Sequence, residues 1–430
     1  MSFEWQKMTL KQAGVTLIDC DHRTPPPTAN GYPYIAIPQL KNGHIELEGV
    51  RRISTEHFLE WTKKLKPQED DVIVVRRCNS GDSAVIPKDI ECAIGQNLVI
   101  LRSDGKIVYP KLLRWLLRSP DWWEQVSKFI NVGAVFDSLK CKEIPYFELT
   151  IPPIKSQKEI ATTLGALDDR ITLLRETNAT LEAIAQTLFK SWFVDFDPVH
   201  AKAQGTKPEG MDEQTAALFP DSFEESELGM VPAGWEVGEL ADMSKNNSTP
   251  FDFSKVEKVV FVNTGDVFNG EFLHQNYSLK EGLPGQAKKA IYENDILFSE
   301  IRPKNGRFAY VNFDAKDYVV STKFMVLRAI NNFPPRYLYQ VLRQTETIEY
   351  FHVIAESRSG TFPQITFDSV KNYKLIKPSS VCLEKYIECV NPIFHKIDLL
   401  NKQAQTLSNL RDTLLPRLIS GQLRLPDVEA

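Results

Sequence analysis

The chain has 430 residues, 42% hydrophobic and 25% charged, with a formal net charge of −5. That length exceeds one ordinary core and sets an expectation of two to four domains. No apolar run approaches the roughly 18 residues of a membrane span, the opening MSFEWQKMTLKQ has no apolar signal core, and the six cysteines (Cys20, Cys78, Cys92, Cys141, Cys382, Cys389) form no CxxC pair. Such cysteine usage fits reduced thiols in a cytoplasm better than a disulfide framework or a zinc site.

Taken in chain order, the first half (1–153) opens with Trp5 and Leu10 and a polar loop at Asp21-His22-Arg23-Thr24. Strand signals follow at YIAI from Tyr34, running on to Lys41-Asn42-Gly43, and at VIVV from Val72. The second strand leads into Arg76-Arg77-Cys78-Asn79-Ser80-Gly81, a basic, amide-bearing tip. Pro110 to Arg118 opens on proline and carries leucines at helical spacing, so it reads as a helix.

Next, Ile160, Leu164, Leu167, Ile171, Leu174, Asn178, Leu181, Ala185, Leu188 and Trp192 follow a 4-3-4-3 spacing. This is a heptad seam, which needs a partner helix. Asn178 reads as a register-fixing polar position. The helix spans 154–196 and runs into Phe189, Trp192, Phe193 and Phe196. The segment 197–230 is an expected acidic linker. From Asp195 to Met230 there are nine acidic and two basic residues, so the rest holds 51 − 2 = 49 basic against 56 − 9 = 47 acidic. The acid is local, and basic surfaces remain possible elsewhere.

The second half (231–378) repeats the first at offsets of 224 to 231. Trp235 answers Trp5, FVNTGDVFNG answers YIAIPQLKNG, DILFSEIR answers DVIVVRR, KFMVLR answers NLVILR, PRYLYQVLR answers PKLLRWLLR, and FDSVK at Phe367 answers FDSLK at Phe136. Arg302-Pro303-Lys304-Asn305-Gly306-Arg307 occupies the place of the first basic tip. Ser357-Arg358-Ser359-Gly360-Thr361-Phe362-Pro363-Gln364 offers hydroxyls, Arg and Gln where the first half has the less polar Asn131-Val132-Gly133-Ala134. A second helix (379–430, with its tail) carries the seam again at an offset of 226: Tyr386, Val390, Ile393, Ile397, Leu400, Ala404, Leu407, Arg411, Leu414 and Leu418, apolar except Arg411. Pro392 marks an expected kink or restart in it.

The expected fold class is therefore α/β, two similar α/β domains in pseudo-twofold arrangement joined by two long antiparallel coiled-coil helices. The basic tips suit DNA, since arginine reads guanine and asparagine reads adenine in the major groove. Candidate contacts are Arg23, Thr24, Lys41, Asn42, Arg76, Arg77, Asn79 and Ser80 in the first half. In the second they are Arg302, Lys304, Asn305, Arg307, Ser357, Arg358, Ser359, Thr361 and Gln364. Different tips on one frame imply two different half-sites.

Catalytic motifs are sparse. There is no GxxxxGK loop, no strand-GxGxxG-helix unit and no HExxH. NNFPPRY departs from the Asn-Pro-Pro-aromatic pattern of adenine methyltransferases and coincides with a repeated helix start. Two other readings stay open: a self-contained Mg-dependent DNA endonuclease using Asp295 and Glu300 as paired carboxylates, and a coiled-coil architectural protein.

LEAIAQTLFKSWFVDFDP, the paired repeats and the closing LRDTLLPRLISGQL resemble the specificity subunit of type I restriction–modification enzymes, over essentially the whole chain. The resemblance implies two target-recognition domains on an antiparallel coiled-coil spacer, binding double-stranded DNA at a bipartite, asymmetric site. It implies a non-catalytic chain with no cofactor of its own. S-adenosylmethionine, ATP and Mg would reside on partners: two modification (methyltransferase) subunits and separate restriction subunits. Phe189, Trp192, Phe193 and Phe196, with Leu415, Leu418 and Ile419, are expected either to dock modification subunits or to close the coil against the recognition domains.

Overall fold

The structure is a computed structural model that describes residues 4–64, 66–132, 137–358 and 361–426. Gly133, Ala134, Phe136, Ser359 and Gly360 therefore lie outside the described residues. The chain divides into two compact units, Met1–Thr177 with Leu400–Ala430, and Asn178–Leu399.

In the first unit an antiparallel sheet is built from β1 (Val15–Asp19), β2 (Val72–Val75), β3 (Ser83–Val85) and β4 (Leu98–Ser103), in the order β1-β4-β2-β3. Every side chain of β2 is buried, as a central strand of β-branched residues requires. Helix α1 (Pro110–Leu116) packs on it with Leu112, Leu113, Trp115 and Leu116 buried. A second helix, α2 (Pro120–Phe129), was not anticipated. Its signals were present: Ser119 accepts a hydrogen bond from the Trp122 amide, and Pro120 occupies the first turn.

The second unit repeats the plan. Strands β5 (Ser244–Asn246), β6 (Ile296–Ser299), β7 (Phe308–Tyr310) and β8 (Phe324–Ala329) lie in the order β5-β8-β6-β7. Helices α3 (Pro335–Leu342) and α4 (Thr345–Arg358) follow. One buried ion pair recurs in each sheet. Asp71 binds Arg102 at 2.6 Å, and Asp295 binds Arg328 at 2.7 Å, both aspartates being almost fully buried. The duplication read from DVIVVRR and DILFSEIR thus extends to strand order and to a side-chain contact.

Two helices of 40 residues, Ile154–Phe193 and Ser380–Ile419, carry the seams. The second is continuous through Pro392, whose exposed position keeps the missing N–H in the water-facing side of the helix. None of the seam side chains is exposed. In the first unit Ile160 and Leu164 share a core with Leu415, Leu418 and Ile419, and Asp168 meets Arg411. In the second unit Asn178 Nδ2 donates to the Ile397 carbonyl at 3.4 Å, and further along Phe189 faces Tyr386. Within each unit one helix ascends as the other descends, the antiparallel pairing the heptads call for.

The segment read as a linker is folded. Asp197–Ala203 is helical, Val199 and Phe219 are buried, and Phe223–Ser226 pairs with Gly229–Pro232. Sparse apolar anchors override its acidic composition.

The aromatic end of the first long helix closes a core. Phe189, Trp192 and Phe193 are 2–4% exposed. Phe193 packs on Tyr337 at 5.0 Å, Tyr386 at 5.1 Å and Trp235 at 5.8 Å. Phe196 is half-buried against Trp235 and Phe223. Leu415, Leu418 and Ile419 are buried likewise in the first unit. Six of these seven side chains are buried and Phe196 is half-buried, the arrangement expected of side chains that close the coil against their own domain.

Candidate nucleic-acid interface

In the first unit the β2–β3 connection is the basic tip. Cys78 (φ 56°) and Asn79 (φ 68°) adopt left-handed backbone, which costs on the order of 1–3 kcal/mol per residue and persists only where neighbours enforce it. The neighbours are visible. The Cys78 amide donates to the Asp137 carbonyl at 3.4 Å, the Leu139 amide to the Arg76 carbonyl at 2.8 Å, and buried Ser80 donates Oγ–H to Asp137 at 3.4 Å. Arg77 and Asn79 remain exposed, and neither side chain has a partner among the described residues. Arg76 is half-buried, with Nη2 3.4 Å from His22 Nδ1. It supports the tip more than it presents a reading group.

The second unit places its tip between β6 and β7. Arg302 has φ 46° and an exposed guanidinium without a partner among the described residues, as does the Asn305 amide. Two segments far apart in sequence meet here: the Arg302 amide donates to the Pro363 carbonyl at 3.1 Å, and Ile301 bridges Gln364. Thr361 is exposed beside them. Lys304 pairs with Glu349 at 2.8 Å on α4.

Several expected contacts are engaged elsewhere. Arg23 holds Asp21 at 2.8 Å and Glu60 at 2.7 Å while lying over the Trp61 ring. Thr24 Oγ1 accepts from Gln96 Nε2 at 3.0 Å. Lys41 pairs with Glu46 at 2.6 Å. Asn42 turns a short hairpin toward the long helices, where it lines a cleft with Arg118, Trp123 and Asp412. Arg307 donates to the Gly265 and Val267 carbonyls at 3.0 and 2.9 Å and is a strut. Ser357 caps its own helix through the Ile354 carbonyl, Arg358 Nη1 reaches Thr366 Oγ1 at 3.4 Å, and Gln364 donates to Glu300 at 3.0 Å.

The nuclease carboxylates do not converge. Asp295 is held by Arg328 and the Tyr292 amide at one end of β6, and Glu300 by Gln364 at the other. Burial, then the Asp19 carboxylate, push the Cys20 thiol up to about 11, so it is no nucleophile. Among the described residues no helix is long and apolar enough to cross a membrane.

Missed in the sequence is the seat of the first recognition sheet on the long helices. Asp168 Oδ1 accepts from Arg411 at 2.6 Å; Oδ2 lies 2.8 Å from His44 Nε2 and also accepts from Arg114 of α1. Burial alone would raise this carboxyl, but the His44 hydrogen bond, Arg114 and Arg411 together hold it well below the usual carboxylate range. The second unit answers differently: Phe394, 394 − 168 = 226 residues on, lies under the Arg336 guanidinium at 4.4 Å, and Arg343 pairs with Glu182.

The family model described as "Type I restriction modification DNA specificity domain" matches residues 21–183 and 232–408. The HindI specificity subunit of Haemophilus influenzae is 50% identical over 181 residues, 42% of this chain and 39% of that protein's length. The MjaIX specificity subunit of Methanocaldococcus jannaschii is 26% identical over 413 residues, 94% of this chain and 87% of that one. A crystal structure of a type I restriction–modification S subunit from M. genitalium covers 99% of this chain and 97% of its own, at 17% identity and a TM-score of 0.51, a likeness of fold. With the duplicated sheets, the matched tips and a family match over both halves, the chain belongs to the type I restriction–modification DNA specificity family.

Proposed function

We infer that this chain is the DNA-recognition subunit of a type I restriction–modification enzyme, itself without catalysis, and that each unit reads one part of a bipartite, asymmetric target. The observation that carries this reading is the pair of matched tips. The same strand order presents Arg77 and Asn79 in one unit and Arg302 and Asn305 in the other, all exposed and unpaired among the described residues. Arginine meets guanine O6 and N7 in bidentate fashion, and asparagine meets adenine. S-adenosylmethionine, ATP and Mg belong to the modification and restriction subunits that this chain directs, in the cytoplasm.

Arg302→Ala is expected to weaken binding to the cognate site by about 1–3 kcal/mol, measured by titration of labelled duplex. An equal loss on unrelated DNA would reassign the residue to phosphate. Footprinting is expected to give two short protected tracts, and a single tract or none would reject the bipartite reading.

Two modification subunits are the proposed complement. Off the seam, the first unit exposes Leu173 and Leu410 and the second exposes Ile184 and Leu399, each 44–50% accessible. These are equivalent positions, since 399 − 173 = 226 and 410 − 184 = 226. Apolar side chains repeated on both units offer two alike surfaces to two alike partners. Leu173→Asp with Leu410→Asp is expected to reduce copurification from two modification subunits to one, read by native mass. Full assembly with all four leucine and isoleucine positions changed to Asp would reject this surface.

A further inference from the structure

We propose that Asp19, Cys20 and His22, at the end of β1, form a site for a thiophilic divalent cation of the zinc class, with the Cys141 thiol standing beside Asp19. A carboxylate oxygen, a thiol sulfur and a ring nitrogen from these three residues all lie within 4.8 Å of one another. The individual separations are 3.8 Å from Cys20 Sγ to His22 Nδ1, 3.2 Å from His22 Nε2 to Asp19 Oδ2, and 3.7 Å from Cys141 Sγ to Asp19 Oδ2. Metal–ligand bonds of about 2.0–2.3 Å at tetrahedral angles place neighbouring donors roughly 3.3–3.8 Å apart. One ion takes a single ring nitrogen, so the three donors span up to 4.8 Å, and a tilt of the exposed His22 ring on the order of 1 Å is needed to close them on an ion. Its softness selects among metals: thiol and imidazole favour zinc over magnesium or calcium.

The local chain explains the convergence. β1 ends at Asp19, which pairs with Val99 of β4, and beyond it the chain turns into the loop of Cys20 and His22. Cys141 lies 122 residues from Asp19 in sequence. That separation hides Cys141 from any reading based on ligand spacing. Cys20 is buried and His22 exposed, so the site opens to solvent on its imidazole side.

Position gives the site its consequence. The stretch that leads to Cys141 is hydrogen-bonded to the base of the first reading tip, the Leu139 amide donating to the Arg76 carbonyl. Arg76 Nη2 stands 3.4 Å from His22 Nδ1 and is the charge that a bound cation would displace. A metal that takes this ring nitrogen releases the Arg76 guanidinium beside the tip. In the second unit the matching strand β5 ends at Asn246 and runs on into Asn247, Ser248 and Thr249, which bring no thiol or imidazole.

The test is Co²⁺ titration of the full chain under a non-coordinating reductant, in a Cys78→Ser background that removes the exposed thiol at the tip. A thiolate-to-cobalt absorption band saturating at one ion per chain is expected, with Zn²⁺ displacing it. His22→Gln, at an exposed position that leaves the core untouched, is expected to weaken binding by at least about 10-fold. Circular dichroism checks that this variant is folded. The absence of a thiolate band, or a band that His22→Gln leaves unchanged, would overturn the site, and neither outcome bears on DNA recognition.

Discussion

Asp168→Ala is expected to lower the stability of the first unit by about 3–5 kcal/mol. The carboxylate is 1% exposed and is the anion shared by Arg411, Arg114 and His44. Removing it strands these groups in a low-dielectric site beside Arg118, whose Nη1 is already buried without a partner. The remaining anion nearby, Asp412, is exposed and serves Arg411 alone among them at 2.8 Å. Urea unfolding gives the magnitude, and segment-resolved hydrogen exchange assigns it to residues 1–177 and 400–430. The second unit supplies a control. Its matching positions are Phe394, Ala185 and Tyr339, at offsets of 226, 226 and 225 from Asp168, Arg411 and Arg114. The triple change Asp168→Phe, Arg411→Ala, Arg114→Tyr copies that apolar joint and is expected to recover most of the loss, because replacing a whole buried charge cluster is far milder than breaking it.

The same carboxylate sets an acid limit. Its folded value lies below its unfolded one, so its contribution is fully present above the ordinary carboxylate range. It is lost as the pH falls below about 4 toward the depressed folded value. Wild type is expected to lose stability more steeply than Asp168→Asn in that window, and parallel curves would show that the ion pairs are not the cause.

Phe193→Ala carries the second large effect, about 3–5 kcal/mol of stability in the second unit. Its ring is enclosed by Tyr337, Tyr386 and Trp235. Truncation leaves a hole that these three aromatic side chains from separate segments cannot easily fill. Thermal unfolding of the free chain is the proper measurement. A loss seen without any partner present belongs to the core. An unchanged midpoint with lost copurification would restore a docking role.

The helical seam was legible because its period is local. Ile160 to Trp192 declare a heptad whatever they touch, and the same list shifted by 226 declares its partner. Asp168 was not legible, since its ligands come from 54 and 243 residues away. The reading tips fall between. Their place could be inferred from the duplication, but Arg23 and Arg307 sit in loops of the same composition as Arg77 and Arg302. Only distant groups separate them: Glu60 occupies Arg23, and the Gly265 and Val267 carbonyls occupy Arg307. The two readings of the aromatics could not be separated in the sequence for a related reason. A cluster of Phe and Trp at a helix end has the same composition whether it faces a partner or its own core.

The first unit draws on two segments separated by the whole of the second, Met1–Thr177 and Leu400–Ala430. A ribosome therefore finishes the second unit before it delivers the residues that complete the first. At roughly 5–20 residues per second, the intervening 222 residues (178 to 399) take on the order of 10–45 s. During that interval Ile160 and Leu164 lack the Leu415, Leu418 and Ile419 that cover them in the finished fold. A nascent chain released short of Leu400 thus carries an open apolar stripe where the finished DNA reader has a closed core.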